Sequence, residues 1–149
     1  MATIKGRINA ISVSKEKGTQ KVNVSKAELK TDFGIIGDAH AGSTHRQVSL
    51  LAVASIEEMV AKGAKVSPGN FAENITTEGI DLLLLEVGSK LKLGESTELE
   101  ITQFGKQCHS RCEIFKQVGD CIMPREGIFA KVIKPGRINV GDAIEVLND

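Results

Sequence analysis

Within six residues, Gln107-Cys108-His109-Ser110-Arg111-Cys112, the chain gathers two thiols, an imidazole and a guanidinium, and a third thiol, Cys121, follows nine residues later. The thiolate is the form of cysteine that attacks electrophiles and binds soft metals, and a neighbouring cation lowers the thiol pKa toward that form. This segment therefore offers nucleophilic sulfur chemistry or metal coordination. Residue types alone leave three alternatives open. Either of Cys108 and Cys112 can be a small buried hydrophobe. Cys108, His109, Cys112 and Cys121 can form a zinc site, although C-x3-C with an adjacent Cys-His departs from the usual paired spacing. The same residues can also act as a reversible thiol switch.

Three further segments carry polar chemistry. In Gly34-Ile35-Ile36-Gly37-Asp38-Ala39-His40-Ala41-Gly42, with His45 and Arg46 close behind, the glycines preclude a regular helix and let side chains and backbone N–H groups converge on a ligand. The plain alternative is a polar loop whose aspartate caps a turn and whose histidines are solvated. In residues 68–77, Asn70 and Asn74 can present amides to a heterocycle edge, and Glu73 can orient an arginine or accept a ring N–H; turn-forming asparagines explain the same pattern. Asn74-Ile75-Thr76 matches a glycosylation sequon, which is discounted without a secretory signal. Arg125, in residues 119–132, can clamp a phosphate bidentately, whereas a solvated turn arginine is the commoner case.

Those segments need a scaffold. The chain has 149 residues, 41% of them hydrophobic, which suits one domain spanning 1–149. Nineteen basic residues balance nineteen acidic ones, so no global field draws the molecule to nucleic acid or an anionic membrane; an anionic partner would need a local pocket. Five phenylalanines without tyrosine or tryptophan make poor stacking platforms for single-stranded nucleic acid. The first seven residues hold no apolar run of signal-peptide length, and no stretch has membrane-spanning length, so a cytoplasmic protein is expected.

The apolar pattern predicts strands. Ile4, Ile8, Ile11 and Val13, then Val22, Val24 and Ala27 after the turn at residues 15–18, predict a hairpin. Period-two alternation at 91–93 and 99–102, and again at 138–140 and 144–146, predicts half-buried strand pairs around glycine-containing turns. Residues 136–142 read as a hairpin closing the sheet. One short helix is predicted from an N-cap at Ser55, with Ile56, Met59 and Val60 on its buried face and Gly63 as its stop. Residues 62–69 read as a loop. Fifteen glycines among short strands favour a mainly β fold, a closed or strongly bent barrel-like domain with one or two short helices.

In order, Gly37-Asp38-x-His40, Gly69-Asn70-Phe71-x-Glu73-Asn74, Arg111-Cys112 and Gly136-x-Ile138-x-Val140-Gly141-Asp142 resemble the MOSC domain, named for the C-terminal domain of molybdenum cofactor sulfurase. The resemblance runs from about Ile4 to Val146 and rests on four motifs in order. It implies a barrel-like domain that binds the pyranopterin molybdenum cofactor (molybdopterin) or carries its sulfur. By the same match, Cys112 would be the metal ligand or persulfide carrier, and Asp38, His40, Arg46, Asn70, Glu73, Asn74 and Arg111 would contact the pterin and its phosphate. Cys108 corresponds only loosely, since many relatives place a cysteine three residues before the key position. The implied roles are cofactor carrier, sulfur-transfer module served by a separate cysteine desulfurase or serving a molybdoenzyme client, or molybdenum subunit of a reductase for small N-hydroxylated substrates. Neither a pyridoxal-phosphate desulfurase domain nor the additional N-terminal β-domain of MOSC-containing reductases is recognisable in these residues.

Overall fold

The computed structural model describes residues 5–16, 21–39, 41–42, 47–69, 71, 73–105 and 127–147. Their strands are β1 (Lys5–Val13), β2 (Val22–Val24), β3 (Lys26–Lys30), β4 (Gly34–Ile35), β5 (Val48–Ala52), β6 (Ile75–Glu78), β7 (Lys90–Leu93), β8 (Thr97–Phe104), β9 (Ile128–Lys134), β10 (Gly136–Asn139) and β11 (Ala143–Leu147). One helix, α1 (Val53–Ala61), follows β5, and a 3-10 turn covers Leu82–Leu84.

Seven strands close into a barrel in the order β1-β11-β7-β8-β9-β5-β6, with β6 returning to β1. Closure depends on β1, which pairs with β6 along one edge and on the other with β11 near its start and β2 near its end. All barrel pairings are antiparallel except β5 with β6, where α1 supplies the crossover that parallel neighbours require. A second sheet, β10-β3-β4, turns Leu29, Ile35 and Ile138 onto the barrel's interior.

Alternation sorts the side chains. Leu91 and Leu93, Leu99 and Ile101, and Ile128, Ala130 and Val132 point inward, where they meet Ile8, Ile11, Leu50 and Ile75. The outward residues of β5 and β9, Leu51 and Phe129, build a smaller core outside the wall with Ile56 and Met59 of α1, Ala64 and Phe71.

The expected β1–β2 and β7–β8 hairpins form, as does the barrel. Three details differ. Ala27 leaves the first hairpin for the small sheet, opposite Ile138. Residues 136–142 do not form a hairpin that closes the sheet: β10 pairs with β3, while β11 inserts between β7 and β1 and seals the barrel. The helix starts two residues before Ser55, which lies buried inside it, and Val60 faces solvent. Ala52 takes the cap position in extended conformation without a side-chain cap, because β5 runs directly into the helix. Gly63 does end it, at φ +102°, with the Ala64 N–H donating to the Met59 carbonyl.

Candidate functional site

The tail of β1 collects the polar segments. Asp38, just beyond β4, accepts the Ser14 N–H at 3.0 Å, and the next residue, Ala39, donates its N–H to the Ser14 carbonyl at 2.7 Å. Lys21, entering β2, places Nζ 2.8 Å from Asp38 Oδ1 and 3.5 Å from Ser14 Oγ. Both charged side chains are almost fully buried, at 1% and 0% exposure. Burial opposes ionisation of Asp38, but the Lys21 ammonium, the Ser14 N–H and the Asn74 amide outweigh it and hold the carboxyl below its ordinary 3.8.

Asn74 stitches three strands together. Its Oδ1 accepts the Ser49 N–H at 3.0 Å and the Ser49 hydroxyl at 3.2 Å, while Nδ2 donates to the Ser12 carbonyl at 3.1 Å. Its backbone carbonyl accepts the Ser12 N–H at 2.7 Å. The loop before it is seated on the same strand: Gly69 lies against Ser12, where an added Cβ would come within 2.8 Å of Ser12 Oγ at a φ of +98° that disfavours any side chain. Asn23 completes this corner by donating to Ser12 Oγ at 2.8 Å and to the Pro68 carbonyl at 3.0 Å.

Glu73 is buried like Asp38, but among the described residues no cation faces it. It accepts the Phe71 N–H at 3.2 Å and the Thr76 hydroxyl at 2.9 Å, with further backbone donors at Gly69 and Glu73 itself. Burial pushes its carboxyl above the ordinary 4.5, and these donors only partly counter it. Glu73 therefore binds backbone of its own segment, and its neighbour Phe71 packs against Ile56 and Met59 of α1.

Of the residues expected to contact a cofactor, Asp38, Glu73 and Asn74 are placed, and Asp38 and Asn74 share one hydrogen-bonded network. His40, Arg46, Asn70, Cys108, His109, Arg111, Cys112, Cys121 and Arg125 lie outside the described residues, as does His45. Their chain neighbours are well anchored. Ala39 is tied to Ser14 and Gly69 is packed on Ser12. Gln47, one residue after Arg46, is buried and bridges Asp32 and the Val132 N–H, each at 2.9 Å. Gly105 and Gly127, which bracket the cysteine-bearing segment, are joined by a backbone hydrogen bond of 2.6 Å. Among the described residues, no group of three His, Cys, Asp or Glu side chains is placed to hold a metal ion, and no helix is long and apolar enough to cross a membrane.

Sequence reasoning missed Lys21, Ser12, Ser14 and Ser49. The serines carry no motif, and a lysine beside Val22 looks like the solvated position of an edge strand; only the fold reveals that it reaches Asp38.

The sequence profile of the family described as the MOSC domain matches residues 37–145. Among solved structures, the YuaD protein from Bacillus subtilis is 20% identical, with 97% of each chain covered and a TM-score of 0.82. YiiM from Escherichia coli, at 18% identity, matches 96% of this chain and 70% of its own with a TM-score of 0.65. YiiM from Geobacillus stearothermophilus, at 16% identity, matches 96% and 75% with a TM-score of 0.70. No functionally curated protein matches the sequence.

Proposed function

Since this chain belongs to the MOSC domain family, we propose that it binds the pyranopterin molybdenum cofactor through Cys112 and serves as a carrier of that cofactor or of its sulfur. The observation that supports this reading is the convergence of two of the four family motifs on the tail of β1: Asp38 and Ala39 on Ser14, Gly69 and Asn74 on Ser12.

The charges at this corner fit an anionic group. Asp38 is neutralised by Lys21, so it opposes a phosphate with no unbalanced negative charge. Glu73 is directed into its own turn. The cofactor, when bound, supplies a molybdenum centre with redox chemistry and a labile sulfur. The protein's share is division of labour. Asp38 and Asn74 hold the loops that lead to His40 and Asn70, those two with Arg46 and Arg111 would bind the pterin and phosphate, and Cys112 would provide the thiolate.

The test is molybdenum and pterin content of protein purified from a host competent in cofactor synthesis, wild type beside Cys112→Ser. The reading predicts both in the wild type and neither in the variant, with unchanged circular dichroism. Equal loading of the two would refute Cys112 as the ligand. A persulfide on Cys112 detected by mass spectrometry in metal-free protein would assign sulfur relay instead.

A further inference from the structure

A groove of about 470 Å³ opens between α1 and the 3-10 turn at Leu82–Leu84, well within the size range of recognition pockets. Among the described residues its apolar lining includes Ala52, Ile80, Leu82 and Leu83, and its charged lining is Glu58 and Asp81, with no lysine or arginine. The Asp81 carboxylate is fixed in direction, since Oδ1 accepts the Leu83 N–H at 3.1 Å. Beyond the groove the apolar surface continues: Leu83, Leu84 and Val87 are 49%, 74% and 62% exposed. Large apolar side chains left in water on one short stretch signal a contact surface.

The groove adjoins the neck of the cysteine-bearing segment. Leu50 of β5 faces Ile128 of β9, so Ala52, two residues on, and Gly127, one residue back, lie beside the same cross-strand pair. A protein docked here would stand next to the point where that segment leaves the barrel.

The geometry points to this groove as the docking site for a polypeptide segment of the client protein, one that carries an apolar side chain flanked by lysine or arginine. That the occupant belongs to a client rests on the carrier reading; its chemistry comes from the groove. An apolar side chain fills the cleft over Ala52 and Ile80, a flanking cation meets Glu58 and Asp81, and the neighbouring backbone lies across Leu83 and Leu84. The apolar surface that continues beyond the cleft is what selects an extended segment over a small organic cation. The carboxylates contribute partner choice and association rate, and their effect weakens with salt.

The test titrates the full-length, ¹⁵N-labelled chain with a capped peptide of alternating leucine and lysine, and in parallel with its leucine-glutamate counterpart. Shifts concentrated at Ala54, Glu58, Gly79 and Leu83 are expected for the basic peptide alone. Its affinity should fall about tenfold in Glu58→Lys and by less in Glu58→Gln, both changes at an exposed helix position that spares the fold. Shifts elsewhere, no binding, equal response to both peptides, or undiminished affinity in Glu58→Lys would overturn the inference. Repeating the titration on Cys112→Ser separates the two proposals: peptide binding persists there even where cofactor loading is lost.

Discussion

Asp38 and Glu73 come from two motifs of the same family pattern, lie at the same end of β1, and are both buried, yet they are stabilised by opposite means. Asp38 has a cation at 2.8 Å and is held in its ionised form. Among the described residues Glu73 has only N–H and O–H donors, and its burial raises the pKa. A buried carboxylate with a counter-ion depends on that partner, whereas one served by neutral donors depends on its loop geometry and tolerates losing its charge. The first arrangement ties two distant segments together, Lys21 to Asp38; the second shapes a single loop.

The largest expected effect breaks the Asp38 side of this comparison. Lys21→Met leaves a buried carboxylate without its counter-ion and should destabilise the fold by about 3–5 kcal/mol in urea unfolding. Lys21→Met with Asp38→Leu should recover much of that loss, since removing both charges also removes the desolvation cost. A double variant as unstable as the single would mean that Asp38 matters through Ser14 and Asn74 rather than through Lys21.

Gly69→Ala probes the loop that Glu73 shapes. It forces a side chain into a φ of +98° and against Ser12 Oγ, and should cost about 1–3 kcal/mol. Full stability of this variant would show that the loop shifts readily and that Glu73 does not fix it.

Glu73→Gln should have the smallest effect and the opposite sign. Gln can still accept the Phe71 N–H and can donate to the Thr76 hydroxyl, and relief from burying a charge offsets the weakened contacts to the Gly69 and residue-73 N–H groups, so stability at neutral pH should hold or rise by about 1 kcal/mol. The pH dependence sharpens the contrast. For Asp38, whose folded pKa is lowered, the native state binds fewer protons than the unfolded chain; its contribution is present above 3.8 and is lost as pH falls through the folded value. For Glu73, whose folded pKa is raised, the native state binds more protons; its contribution is full below 4.5 and is lost as pH rises through the folded value. Unfolding free energies measured across this range should therefore lose their decline above 4.5 in Glu73→Gln and lose their acid-side fall in the Lys21→Met, Asp38→Leu pair. An unchanged profile in either variant would contradict the assignment for that carboxylate.

Much of the barrel was legible because alternation is a local signal: Leu91 and Leu93 against Lys92, or Leu99 and Ile101 against Glu100, announce strands with one face buried. Which strands pair was less legible. Ile138 and Ile144 look like partners across a tight turn, and only packing sends one to the small sheet and the other to the barrel seam. The helix was located, but its start was misread because Ser55 has the type of a cap while β5 supplies the actual entry. At the candidate site, the motif residues Asp38 and Asn74 were found from their types, whereas Lys21, Ser12, Ser14 and Ser49 act through contacts across 17 to 62 positions that no spacing rule encodes. The thiols, the first feature to stand out, lie outside the described residues and so belong to the proposal rather than to the fold.

The most direct test of the account is X-ray absorption at the molybdenum edge on protein from a cofactor-competent host. Ligation through Cys112 predicts a molybdenum edge with a cysteine sulfur neighbour in the wild type and no molybdenum edge in Cys112→Ser. The same sulfur count in both, or a wild type that takes up no molybdenum, would contradict it.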